Sequence, residues 1–156
     1  MSYENVKKYF ESLGLANKIK KVDQSAATVD LAAAAIGCEP KQIAKSMSFL
    51  LEGKPVLIVT AGDVKVDNKK YKSTFHQKAK MIPSELVEDY IGHPPGGVCP
   101  FAIKPGVTVY MDVSLKRFDT VYPSGGSGHS IVELSLEELV THSASVDWVD
   151  VCKGVF

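Results

Sequence analysis

Three short stretches concentrate the residues able to do chemistry in this 156-residue chain. The first is HPPGGVCP, residues 93–100. Its prolines fix φ and its glycines reach backbone conformations closed to other residues, so the loop can hold peptide N–H groups outward and make an anion site from main chain alone. The same composition also serves simply to turn a chain. Cys99 adds a second chemistry: a thiol among loop amides, with His93 or His129 as base, is the arrangement of a thiol hydrolase. The second stretch, SGGSGHS over residues 124–130, is flexible by composition and carries His129. The third is Lys45, a cation inside the apolar run IAKSMSFLL. Its side chain points either to solvent or into a pocket, and alternation by twos does not decide which.

These residues need elements to position them. Val6, Tyr9, Phe10 and Leu13 fall at helical spacing, with Gly14 as a stop. Thr28 opens an alanine-rich helix that ends at Gly37. IAKSMSFLL and PVLIVTA, joined by Glu52-Gly53-Lys54, predict a hairpin in the middle of a sheet. Asp67 to Ala79 and Ser84 to Tyr90 read as helices, with Asp67 and Ser84 as caps. VTVYMD (107–112), TVYP (120–123) and IVEL (131–134) read as strands, and LKRF as a short helical or turn segment. Ser135 and Glu138 have the spacing of a helix capping box. SVDWVDVCK reads as one last strand, with Trp148 in the core. Order along the chain, strand then loop then loop, places Lys45 and both glycine loops at strand ends. The fold class expected is α/β of the mixed α+β kind, a mixed sheet wrapped by helices in a single domain over residues 1–156.

Composition narrows the function. Hydrophobic residues make up 45% and charged residues 23%, enough for one good core. The opening MSYENVKKYFESLGL is charged and amphipathic, unlike a signal peptide, and no apolar run approaches the length of a membrane span, so a cytoplasmic protein with no membrane partner is expected. Cys38, Cys99 and Cys152 are odd in number and widely spaced, which indicates neither a disulfide framework nor a structural zinc site. Formal net charge is zero, against a protein that coats nucleic acid without selection. From Lys65 to Lys80, however, six lysines face the single acid Asp67. That run is either a phosphate-contacting stretch or a solvated helix face.

Taken in order, GCEPKQIAKSMSFLLEGKPVLIVTAGD, GGVCPFA and YPSGGSGHSIVELSLEEL resemble the YbaK/ProX family of free-standing aminoacyl-tRNA deacylases, whose relatives also occur as the editing insertion of bacterial prolyl-tRNA synthetases. The similarity runs from about Thr28 to about Leu139. It implies a mixed, partly barrel-like sheet with surrounding helices, no cofactor and no metal. It implies that Lys45 contacts the aminoacylated end of tRNA, and that the loop of pattern G-x-x-x-P, Gly96 to Pro100, holds the ester and the attacking water with its backbone.

On this reading the catalytic set is Lys45, Gly96, Gly97, Val98 and His129, with Ser46, Cys99, Pro100, Ser124 and Gly126 in contact with substrate. Lys69, Lys70 and Lys72 then contact tRNA, and a synthetase is a further candidate partner. Two departures bear on the substrate. Several members of the family carry an aspartate where an ungapped reading puts Ile131, and a tyrosine near the stretch that here reads Lys20-Lys21-Val22-Asp23. The resemblance therefore points away from a cysteinyl ester and toward Ser, Thr or Ala, with His129 near the amino acid as hydrogen-bonding group or general base. A non-catalytic aminoacyl-tRNA or nucleotide binding module, and the Cys99-dependent thiol hydrolase, are the alternatives.

Overall fold

The computed structural model describes residues 2–154. Helix α1 (Ser2–Ser12) buries Val6 and Phe10, four residues apart on one face, and Phe10 meets Phe101 edge-on with ring centroids 4.8 Å apart. A short 3₁₀ turn leads to β1 (Ile19–Lys21), and α2 (Val29–Ile36) follows. Thr28 caps α2 by accepting from Leu31 N–H, and Gly37 ends it at φ 80°. Strands β2 (Ile43–Leu51) and β3 (Lys54–Ala61) form the expected hairpin. Its turn places Glu52 at φ 54° and Gly53 at φ 78°, the two left-handed residues of a type I′ connection.

The chain continues through β4 (Val64–Val66), α3 (Asn68–Phe75), α4 (Ser84–Ile91), β5 (Thr108–Asp112), β6 (Thr120–Pro123), β7 (Ser130–Val132), β8 (Leu134–Ser135), α5 (Leu136–His142), β9 (Asp147–Val149) and β10 (Cys152–Gly154). Six strands form one mixed sheet in the order β8-β6-β2-β3-β5-β9, with parallel β2–β6, β3–β5 and β5–β9 pairs. A bridge from Ser124 to Ile131 carries its curl on to the β7–β1 ribbon, giving a half-barrel. A separate β4–β10 ribbon brings the end of the chain back beside Val64.

Four expectations are corrected. The helix predicted to reach Ala79 stops at Phe75, because His76 turns left-handed at φ 63°. The following segment runs along β2 instead, with Leu50 N–H donating to Lys80 O and Ile82 N–H to Ser48 O, so it satisfies an otherwise bare strand edge. Ser84 does not cap α4; Pro83 holds the cap position and makes no side-chain bond. The single last strand is two strands in different sheets, and the buried carboxylate of Asp112 receives Val151 N–H at the break. Trp148, expected in the core, is only partly buried at its edge, with Lys116 Nζ 4.6 Å from its ring centroid.

The buried apolar residues divide into two groups, and the division positions the site. The main core runs from Val6 and Phe10 through β3 to Leu139 and Val151. A satellite cluster of Ala26, Ala32, Ala33, Ile43 and Ile131 lies under α2. Its small side chains let α2 approach β2 and β7 closely, and they leave the space above unfilled.

Candidate functional site

A cleft of about 260 Å³ opens over that satellite cluster. Its floor is apolar, built from Ala26, Val29, Ala32, Ile43 and Ile131. Its walls carry the polar chemistry: Lys45 and Ser46 from β2, Gly96 and Val98 from the proline-glycine loop, Tyr122 and Ser124 from the end of β6.

The cleft exists because β2 loses its neighbour. Pairing between β2 and β6 ends at Ala44–Pro123, and cover resumes only at the Phe49–Met81 bridge. Ser48 and Leu50 use their main-chain groups on this outer side. The N–H and C=O of one residue share a side and alternate along a strand, so those of Ser46 also face outward, into the uncovered interval. Ser46 Oγ is itself buried without a partner among the described residues. Among the described residues the wall of the cleft thus offers one buried hydroxyl without a partner and, beside it, the outward main-chain groups of the same residue, a situation that a native structure maintains for a ligand or water.

Lys45 is among the residues lining the same wall, and its ammonium donates one N–H to Val64 O in β4. Among the described residues its other two donors have no hydrogen-bond partner. Burial pulls its pKa below the ordinary lysine range, opposed by Cys152 and Asp63. Cys152 is pushed up to about 12 by its own burial, so it is a neutral thiol near pH 7 and adds no charge there.

Opposite, Gly96 sits at φ 87°, and a Cβ there would lie 3.1 Å from Ala27 Cβ across the cleft mouth. Among the described residues neither Gly96 N–H nor Val98 N–H has a partner. Gly97 differs: its N–H donates to Pro94 O at 3.0 Å, closing the turn. It is not among the cleft-lining residues and packs its backbone on that of Gly126 and Ser127. The amides available to a ligand are therefore those of Gly96 and Val98.

Several residues expected at the site are elsewhere. Cys99 is fully buried behind the loop, where desolvation pushes its thiol up to about 12. His93 Nε2, 2.6 Å from Phe101 O, must carry the proton and donate it, so it cannot take one from Cys99 Sγ at 3.5 Å. The pair is structural, and Cys99→Ser is expected to retain most activity in any ester-hydrolysis assay. Pro100 is buried beside it, outside the cleft lining. Gly126 packs on α1, where a Cβ would lie 2.9 Å from Ser2 O. Ser124 reaches the cleft, but its Oγ is occupied by Ser127 O and Gly126 N–H, each at 3.3 Å. His129 is exposed and its Nδ1 lies 3.1 Å from Gln24 O, so it ties down the segment between β1 and α2 that leads to the cleft rim and does not line the cavity. Lys70 is paired with Asp150 at 3.1 Å, whereas Lys69 and Lys72 line a separate notch. Tyr122 was missed: its position before Pro123 gives no sign in sequence that β6 ends beside a cavity.

His93 also makes the fold pH-sensitive. Burial lowers its pKa below the ordinary 6.5, and its Nδ1 is buried without a partner among the described residues. The unfolded chain then binds more protons between the lowered value and 6.5, so stability is fully present above 6.5 and is lost as pH falls through the folded value. The urea midpoint is expected to drop on acidification below pH 6.5, with a weaker drop in His93→Gln, which keeps a donor for Phe101 O.

A half-barrel with a cleft opened beside an uncovered strand edge and faced by a glycine loop is the geometry of a domain that admits a small group into a pocket. Residues 23–142 match the aminoacyl-tRNA editing domain, and the chain belongs to that family. It is 47% identical over 154 residues to the uncharacterized protein YwhH of Bacillus subtilis, covering 98% of each. It is 37% identical over 107 residues to the proline–tRNA ligase of Limosilactobacillus fermentum, spanning 65% of this chain and 19% of the ligase. Its fold superposes with a TM-score of 0.87, at 25% identity and over 98% of both chains, on the crystal structure of a protein provisionally assigned as a trans-editing enzyme for prolyl-tRNA synthetase. Among the described residues no helix is long and apolar enough to cross a membrane.

Proposed function

We propose that the chain is an aminoacyl-tRNA deacylase that hydrolyses the ester between a small amino acid and the 3′ end of a mischarged tRNA. The observation that carries this reading is that Ser46, with its buried, unpartnered Oγ, and the loop residues Gly96 and Val98, whose amides have no partner among the described residues, line one cleft. Water adds to the acyl carbon, the carbon–oxygen bond to the ribose breaks, and the proton returns to the departing ribose oxygen. An aminoacyl ester is already activated, so orientation of water and donors aimed at the developing oxyanion suffice. The neighbouring ribose hydroxyl can position or deprotonate the water, and no nucleophilic side chain is needed.

The α-ammonium finds no carboxylate among the lining residues. Ser46 C=O and the loop carbonyls are the acceptors left for it. The apolar floor receives the side chain, and its size admits Ala, Ser or Thr. A synthetase pocket separates residues differing by one methylene by only about 1–3 kcal/mol, which is why a second, small pocket is useful. The relationship to proline–tRNA ligases points to tRNA charged in error by that synthetase as the carrier.

The test is deacylation of tRNA carrying Ala, Ser, Thr or Cys. Hydrolysis of one or more of the first three, faster than of the cysteinyl ester, is expected. Protection of every ester from spontaneous hydrolysis would instead identify a binding module.

A further inference from the structure

Beyond the cleft, α3 and the segment after it enclose a second concavity. A notch of about 370 Å³ is lined by Asn68, Lys69, Lys72, Lys78 and Ala79. Among the described residues no carboxylate lies within ion-pair distance of Lys69, Lys72 or Lys78, whereas Lys70, one residue away, is held by Asp150 and by Cys152 O. Asp67, the acid nearest in sequence, is occupied as the cap of α3 and by Lys153 at 3.7 Å. Three cations thus converge on one hollow in a chain whose formal net charge is zero. Any affinity for a polyanion has to be local.

The notch has a fixed relation to the cleft. Tyr71, between Lys69 and Lys72 on α3, packs on Phe49 with ring centroids 5.2 Å apart. Phe49 lies four residues along β2 from Lys45, roughly 13 Å at the rise of a strand. That step is the component of the separation along β2, and a stacked nucleic-acid strand, advancing about 3.4 Å per nucleotide, covers it in about four nucleotides.

We infer that this notch is a phosphate-backbone subsite for the single-stranded end of the RNA whose terminus enters the cleft, with Lys69, Lys72 and Lys78 as its ligands and Lys70 outside it. The inference rests on the deacylase reading for the identity of the RNA, and its test is separable from it. The full chain is titrated with uncharged tRNA over a range of KCl concentrations, as wild type, as the triple variant Lys69→Ala/Lys72→Ala/Lys78→Ala, and as Lys70→Ala. Each of these lysines is exposed, so the variants keep the fold.

The triple variant is expected to weaken binding about tenfold or more and to make the slope of log K against log salt shallower by about 2, three contacts at about 0.7 each on a single strand. Lys70→Ala leaves the slope unchanged. Hydrolysis of an aminoacyl-adenosine ester, which lacks the upstream phosphates, is also unchanged in the triple variant, while kcat/KM on charged tRNA falls with the affinity. An unaltered slope in the triple variant, or an equal effect from Lys70→Ala, overturns the subsite. A reduced slope in a protein that hydrolyses neither ester supports the subsite and defeats the deacylase reading alone.

Discussion

Replacing Lys45 by methionine is expected to lower kcat/KM for deacylation by about 10²-fold or more while leaving the thermal midpoint unchanged or slightly raised. The two halves of that result come from different parts of the side chain. Lys45 lines the cleft, and methionine preserves the bulk of its stem. The ammonium is half-buried, with its pKa pulled down chiefly by desolvation, so removing it relieves a cost to the fold. What is lost is a cation anchored by Val64 O with two further donors to offer. On the proposed reading, that cation is the point charge that holds a phosphate or polarises a carbonyl. Activity lost together with stability would mean that the residue serves packing, and unfolding monitored beside the rate distinguishes the two.

Gly97→Ala is expected to have the second large effect, and by a different route. A Cβ at this position would stand 2.7 Å from Ser127 N and 2.8 Å from both C and O of Gly126. All three are backbone atoms, so no side chain can rotate away and the two glycine loops must part. Overpacking of this kind costs about 1–3 kcal/mol. The functional cost is larger, because separation of the loops moves the Gly96 and Val98 amides, and misplacement by about 1 Å can cost roughly 10²-fold in rate. Gly128→Ala is the control: its Cβ would meet only Ala27 Cβ at an ordinary 3.6 Å. Urea midpoints and kcat/KM for the pair are expected to diverge on both measures.

Gly97 also marks where sequence reasoning reaches its limit. The composition of HPPGGVCP identifies a rigid loop that offers main-chain amides, but not which amides are spent inside the loop. That depends on Pro94 O accepting from Gly97 and on Phe101 O accepting from His93, both tertiary facts. Cys99 illustrates the same limit, since a thiol beside glycines looks reactive until burial pushes it up to about 12. The hairpin, the Thr28 cap, the Ser135 capping box and the alanine-rich helix were legible because local chemistry dictates them. The end of α3 was not: no glycine or proline marks His76, and the segment leaves the helix to satisfy the outer edge of β2.

Likewise, Lys70 is indistinguishable from Lys69 and Lys72 in sequence and is set apart only by Asp150, 80 residues away. His129 was expected near the substrate because of its place in a glycine loop. Its bond to Gln24 O, across 105 residues, gives it the task of holding the rim. Ser46 carries little signal of its own, and its weight comes from β6 leaving β2 two residues earlier.

The most direct measurement is the structure of the chain bound to an amide-linked alanyl-adenosine, which mimics the terminal ester and resists hydrolysis. The alanyl group is expected over Ile43 and Ile131, with its carbonyl oxygen toward the Gly96 and Val98 amides and Ser46 in hydrogen-bond contact. An analogue seated anywhere else, or a cleft left empty at saturating concentration, contradicts the account.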